Sequence, residues 1–226
     1  MQTCRWLLAT SVLSAILLVS SSALVGAQEQ GQSHVVPLRP FSPDHRFEKV
    51  SGDHTKPGVP FVIRIHAEAG FIIMPHIHPE DENIVVLKGT WSVGMGDRFD
   101  EQRLEPMEAG AYGLVPRQMA HFGLSRTNTI LQVHGIGPFT TQYVVPVYRL
   151  TDAGILKQTS AAEPGQPVPS SPPDCFALKI GSRVRDALGE GIIAEAQCTP
   201  GQLTQYRVRH PSGDHTWARR EALTTP

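Results

Sequence analysis

After residue 27 the chain has no long apolar run, and it never shows the sustained 3.6-residue periodicity of amphipathic helices. Apolar residues come in short runs punctuated by 20 glycines and 19 prolines, which favours an all-β protein. An excess of either charge is also lacking. Twenty basic against twenty-one acidic side chains leave a net charge of −1, so electrostatics suggest neither nucleic acid nor an anionic membrane surface as a partner. Cysteine is scarce, with three residues and no CxxC spacing to suggest a cysteine-built metal or redox site. No internal repeat occurs.

The N-terminus reads as a secretory signal. Arg5 supplies positive charge, Trp6 to Val25 is apolar but softened by serines, and Val25-Gly26-Ala27 places small residues before Gln28. Residues 1–27 are therefore expected to be a signal peptide and the mature chain to be periplasmic or secreted. Left uncleaved, a run of about 20 residues is long enough to anchor the chain in a membrane. In an oxidising compartment Cys175 and Cys198, the pair remaining once Cys4 departs, are expected to form a disulfide.

Residues 28–43, polar and broken by proline, read as a flexible lead-in. Short strand patterns then recur: 47–50, 61–67, 83–88, 90–95, 110–115, 121–125, 130–136 and 142–148. With no helix between them they indicate a sandwich or barrel over residues 44–150, and the charged stretch around Asp100–Glu105 reads as a solvated excursion. Residues 151–173, rich in proline and serine towards their end, are the expected linker. Residues 174–226 carry strand patterns around Val184, Ile192-Ile193, Tyr206 and Val208, enough for a small barrel that a disulfide would help to stabilise.

The chemistry concentrates in Gly70–Gly89, GFIIMPHIHPEDENIVVLKG. His76, His78 and Glu82 share one parity, and a strand turns residues of one parity to one face. If the stretch is largely extended, two imidazoles and a carboxylate lie on one wall. A fourth ligand has to come from another strand, and His121 in GAYGLVPRQMAHFGLS is the candidate. This donor set suits a divalent transition metal, Mn, Fe, Zn, Ni or Cu, and leaves coordination positions open for a substrate or dioxygen.

These residues carry a family resemblance. Gly70-x5-His76-x-His78-x3-Glu82-x6-Gly89 resembles the first motif of the cupin superfamily, and Gly110-x5-Pro116 followed by His121 resembles the second. Gln118 stands where a glycine is usual and Ser125 where an asparagine often is, departures that loosen the turn before His121. The resemblance covers roughly Phe47 to Tyr148. Segments GTWSVGMGD and LQVHGIGPF are similar to small exported single-cupin proteins of bacteria. It implies a double-stranded β-helix, a jelly-roll barrel, with a metal held by His76, His78, Glu82 and His121. Residues 174–226 resemble an SH3-like small β-barrel in their strand-and-glycine pattern.

Two functions follow as expectations. One is a metal-dependent enzyme, oxygenase- or isomerase-type, acting on a small organic molecule. The other is a non-catalytic ligand-binding or structural module whose tail meets a peptide or polymer, where Arg219 and Arg220 would favour an acidic partner. Cupins also form homodimers through their outer sheet faces. For catalysis His134 is the candidate proton carrier. If Thr127-Asn128 is a two-residue turn, His134 lies opposite His121; a three-residue loop reverses this. Trp91, Met95, Phe122 and Gln132 are the candidate pocket residues, the first three equally readable as plain core.

Overall fold

The structure, a computed structural model, describes residues 35–158 and 174–226. The expected signal peptide and residues 159–173 of the expected linker lie outside that range. Among the described residues, ten strands form the first part of the molecule: β1 (Phe47–Gly52), β2 (Pro60–Ala67), β3 (Ile72–Ile77), β4 (Glu82–Lys88), β5 (Thr90–Met95), β6 (Glu105–Glu108), β7 (Tyr112–Val115), β8 (His121–Ser125), β9 (Thr129–Ile136) and β10 (Gln142–Tyr143). They make two five-stranded antiparallel sheets, ordered β1-β2-β9-β4-β7 and β10-β3-β8-β5-β6. From β2 to β5, and again from β6 to β10, the chain crosses to the other sheet at every step. This winding is the double-stranded β-helix, and the protein is all-β.

The strand patterns explain the layering. Phe61, Ile63, Ile84, Val86, Leu131 and Val133 alternate along β2, β4 and β9 and bury one face of the first sheet against Trp91 and Met107 of the second. Gly89 turns the chain from β4 to β5 at φ +79°, where a Cβ would lie 2.6 Å from the Thr127 hydroxyl and 2.7 Å from the Asn128 carbonyl oxygen. Only glycine fits both demands. The solvated excursion near Asp100 is a single 3₁₀ turn, Glu101–Arg103, followed by β6, a strand the sequence did not signal.

Two expected boundaries move. The lead-in is packed from Pro37 onward: the Arg64 guanidinium donates to the Pro37 carbonyl (2.9 Å), the Ser42 N–H donates to His66 Nδ1 (3.1 Å), and Phe41 stacks on the His66 ring. These side chains project from the outer face of β2, which would otherwise bury Arg64 and His66 against nothing. The linker does not begin at Thr151 either. Strands β11 (Val147–Thr151) and β12 (Gly154–Gln158) pair with each other, and β11 pairs with β14 (Gly189–Thr199) of the tail. With β13 (Arg183–Asp186), β15 (Leu203–Arg209) and β16 (His215–Arg219) they form a six-stranded sheet, ordered β12-β11-β14-β15-β16 with β13 also on β14. Val184, Ile193, Ala196, Tyr206, Val208 and Leu223 form its core, and Cys175 and Cys198 are disulfide-bonded. No helix among the described residues is long and apolar enough to cross a membrane.

Residues 37–158 and 174–226 belong to one compact unit, and the tail sheet docks directly on the jelly roll. Gly70, at φ +83°, lies under the Trp217 carbonyl, which an added Cβ would approach to 1.9 Å. The Trp217 N–H donates to the Ala69 carbonyl (2.8 Å), and its ring packs edge-on to Phe71. Beside this turn, Gln205 accepts from the Ile72 N–H (3.0 Å) and donates to the Ile72 carbonyl (2.6 Å). Strand β10 reaches only His76 and Ile77, so the Gln205 amide replaces the missing strand partner of β3 at Ile72. Arg207 clamps the buried Glu68 carboxylate, with Nε 2.8 Å from Oε2. Arg46 and Arg149 do the same for Glu195; burial opposes its ionisation, but the two guanidinium groups hold its pKa below the usual value.

Removing one partner of a buried pair strands the other's charge. Arg207→Ala is therefore expected to cost about 3–5 kcal/mol, whereas Arg185→Ala, which breaks the exposed pair with Glu190, should cost under about 1 kcal/mol. Urea unfolding midpoints of the two variants provide the comparison.

Candidate metal centre

His76 lies on β3 and His121 on β8, directly paired in register across the second sheet. His78 follows the end of β3. Glu82 opens β4 and so comes from the facing sheet. The expectation that Glu82 shares a wall with the two histidines is corrected here, because residues 78–81 carry the chain across the barrel. The side chains still converge, now from opposite walls. One ring nitrogen from each of His76, His78 and His121 lies within 4.8 Å of the others, and all three residues are buried. Glu82 Oε2 is 3.1 Å from His121 Nε2 and 3.5 Å from His78 Nε2.

Each imidazole is oriented by a backbone carbonyl. Nδ1 lies 2.8 Å from the Met74 oxygen in His76, 2.9 Å from Thr140 in His78 and 3.0 Å from Met119 in His121. A carbonyl only accepts, so each Nδ1 carries the proton and each Nε2 keeps its lone pair. Burial, and then the neighbouring His121 and His78 rings, hold the His76 pKa well below its ordinary value of 6.5. Burial also lowers that of His78, against the opposing pull of Glu82. The Nε2 atoms of the three rings and the Glu82 carboxylate therefore face one another, and His78 Nε2 is buried with no hydrogen-bond partner among the described residues. That arrangement fits a cation held by His76, His78 and His121, with the Glu82 carboxylate beside the cluster.

The turn before His121 explains one departure from the motif. Gln118 adopts φ +59°, the left-handed conformation that glycine takes more cheaply. Its N–H donates to the His78 carbonyl (2.9 Å), and its side-chain amide approaches the same oxygen (3.3 Å). The turn is thereby fastened to the strand carrying His78 rather than loosened. Phe139 stacks on the His78 ring at 4.2 Å, and Tyr143 lies 6.0 Å from His76. Neither residue was singled out from sequence. Burial pushes the Tyr143 phenol up to about 12, so it stays neutral.

Beside the cluster lies a cavity of about 70 Å³, lined by His76, Glu82, His121 and Trp91 together with aliphatic residues of both sheets. Met95 packs against the same core. Trp91 Nε1 is buried and has no hydrogen-bond partner among the described residues. Phe122 also borders the cavity, but its ring packs on Phe99 (5.3 Å) and over Gly94, where a Cβ would come within 2.3 Å of it. His134 and Gln132 are corrections. Strands β8 and β9 belong to different sheets and do not form a hairpin, so His121 faces His76. His134 pairs with Asn83 and Val62, and Gln132 with Val85 and Arg64. Those neighbours have the parity opposite to Glu82, Ile84 and Val86. Both side chains project from the outer face of the first sheet.

No family model and no curated protein matches the sequence. Solved structures do. An RmlC-like cupin protein from Desulfovibrio desulfuricans aligns at 24% identity over 47% of this chain and 96% of its own, with a TM-score of 0.35. A double-stranded β-helix protein from Klebsiella pneumoniae aligns at 17% identity over 53% and 98%, TM-score 0.37. KdgF from Halomonas sp. aligns at 14% identity over 39% and 74%, TM-score 0.32. These are partial alignments at low TM-scores, and the fold assignment rests on the strand order above.

Two expectations follow from the geometry. His121→Ala should lower metal content at least about tenfold at a fixed free-metal concentration, since even loss of a ligand's supporting partner costs that much. His134→Ala should leave content unchanged; elemental analysis reads both. Acid should also destabilise the metal-free protein. Unfolding lets His76 and His78 take up protons near 6.5 that the folded state refuses, so the unfolded state binds more protons and stability falls as pH drops through that value. Urea midpoints of chelator-treated protein between pH 7.5 and 5 should decline, and the decline should be shallower in His76→Leu.

Proposed function

We propose that this chain is an exported metal-binding cupin that holds a divalent transition metal through His76, His78, Glu82 and His121 and presents it to a small organic molecule or dioxygen in the adjoining cavity. The observation that carries this reading is the convergence of three buried imidazole nitrogens within 4.8 Å of one another, with the Glu82 carboxylate 3.1 Å from His121 Nε2 and 3.5 Å from His78 Nε2. When bound, the metal would supply Lewis-acid polarisation or an oxygen-binding centre. The chain's part is to fix three neutral imidazoles by their Nδ1–H bonds, to set a carboxylate opposite them, and to keep the cavity dry. The Cys175–Cys198 disulfide supports an oxidising compartment.

Cavity size limits the ligand. About 70 Å³ holds roughly two waters at about 30 Å³ each, hence a molecule of only a few non-hydrogen atoms. Apart from the metal-binding set, no acid or base lines the cavity. Oxygenase-type chemistry therefore fits better than isomerisation, which needs a base to move a proton. The same observation favours a second reading, a non-catalytic cupin in which the metal anchors a small ligand.

Anaerobic loading with Fe(II) or Mn(II), followed by titration with azide or formate, tests the site. Near-stoichiometric metal and a spectral change on anion binding are expected. Metal bound with no anion response would remove the open-site reading. Dioxygen consumption by Fe(II)-loaded protein with short-chain carboxylates and alcohols separates the catalytic from the non-catalytic reading.

A further inference from the structure

The tail-sheet face that docks on the jelly roll continues past the interface into solvent. There Ile192 on β14 is paired in register with Arg183 of β13 on one side and Arg209 of β15 on the other. All three are exposed. Strands about 4.8 Å apart place the two arginine Cα atoms roughly 10 Å from each other. The three residues line a groove of about 770 Å³, which Arg185, Glu190, Pro211 and the stretch Thr224–Pro226 share.

The charges in this groove do not cancel. Arg185 is paired with Glu190 at 2.7 Å, but neither Arg183 nor Arg209 has an ion-pair partner among the described residues. His210, next to Arg209, is buried at the groove wall, where its ring is engaged by Asp186 (3.2 Å) and Thr216 (3.0 Å). Arg219 and Arg220, the basic pair expected to meet a partner, are engaged elsewhere. Arg219 binds Glu101 (2.7 Å) and lies over the Phe99 ring, and Arg220 donates to the Leu223 carbonyl (3.0 Å).

We propose that this groove binds an extended acidic peptide carrying an apolar side chain between two carboxylates. Two uncompensated guanidinium groups call for two anions. Ile192, 39% exposed between them, calls for an apolar group at the middle position. An extended chain supplies that pattern, because alternate side chains share a face at about 6.6–6.8 Å intervals. Carboxylates at positions i and i+4 then stand roughly 13 Å apart, within reach of the two long arginine side chains, and residue i+2 rests on Ile192. An acidic polysaccharide offers carboxylates but no apolar side chain for the isoleucine.

Fluorescence anisotropy of the full chain with a labelled peptide bearing Glu-Ser-Leu-Ser-Glu tests this. Saturable binding is expected, weakening as salt rises and falling roughly tenfold or more in Arg183→Glu/Arg209→Glu and, separately, in Ile192→Asp. Arg220→Ala should bind as the unmodified chain does. Absence of saturable binding at low salt overturns the proposal. So does equal affinity for Glu-Ser-Ser-Ser-Glu, which would show that charge alone is read. Tighter binding of a uronate oligomer of equal charge would assign the groove to an anionic glycan instead and also ends the peptide reading.

Discussion

A set of lone pairs pointing at one another in a dry space is unfavourable unless something positive lies among them. His76, His78, His121 and Glu82 form such a set, and much of the surrounding structure serves to keep it from relaxing. Two of the imidazoles are fixed locally, since His76 and His121 each donate to the carbonyl two residues upstream. His78 is fixed from a distance, through Thr140 in the segment after β9, with Phe139 stacked on its ring. Glu82 reaches the cluster from the opposite sheet and links the two halves of the barrel at that point. If any ring turned over, an N–H would point inward and the site would become a hydrogen-bonded cluster with no place for a cation.

The strand that carries His76 and leads into His78 is also held from outside the jelly roll. Gly70, which opens the histidine motif, is needed here because the Trp217 carbonyl sits where any side chain would begin. Two residues later the Gln205 amide completes the Ile72 backbone hydrogen bonds, and Gln197 adds a further donor to the same carbonyl at 3.2 Å. Apolar packing of Ile72, Met74, Leu124 and Val147, with Leu203 at its edge, fills the space between. The tail is thus part of the wall behind the metal-bearing strand rather than a module on a leash. Changes in the tail can reach the site through β3 without touching a ligand.

Much of this was readable from the residues. Strand patterns marked β4, β5 and β9, because period-2 alternation is a strong signal where one face is buried, but the inward face of β9 was misread, with Gln132 and His134 taken to line the pocket. Spacing singled out His76 and His78, and the resemblance of the stretch around His121 to a known motif singled out that residue; the structure brings these three rings together. What the sequence could not show is which strand lies beside which. His134 was placed opposite His121 on the assumption that neighbouring strands form a hairpin, but a jelly roll sends consecutive strands to different sheets, so the loop between β8 and β9 is a crossover. The same non-local pairing hid the membership of β11 and β12 in the tail sheet, since nothing near Val147 announces a partner some fifty residues later at Cys198. Ordering of residues 37–46 was hidden for another reason: it depends on two polar side chains, Arg64 and His66, on the outer face of β2, and a polar outer face ordinarily means solvent.

Strand β15 shows how a single alternation can produce opposite outcomes. Gln205, Arg207 and Arg209 point the same way at steps of about 6.6–6.8 Å. The first meets a backbone lacking a strand partner and completes it. The second meets a buried carboxylate and neutralises it. The third passes the edge of the jelly roll and, with Arg183 across Ile192, meets only solvent. On the covered part of the face each polar group has a partner of matching chemistry, as burial demands. Where the jelly roll ends that requirement lapses, and the guanidinium groups keep an unspent capacity to bind anions. The docking surface and the open groove are therefore one sheet face, distinguished only by what lies above it.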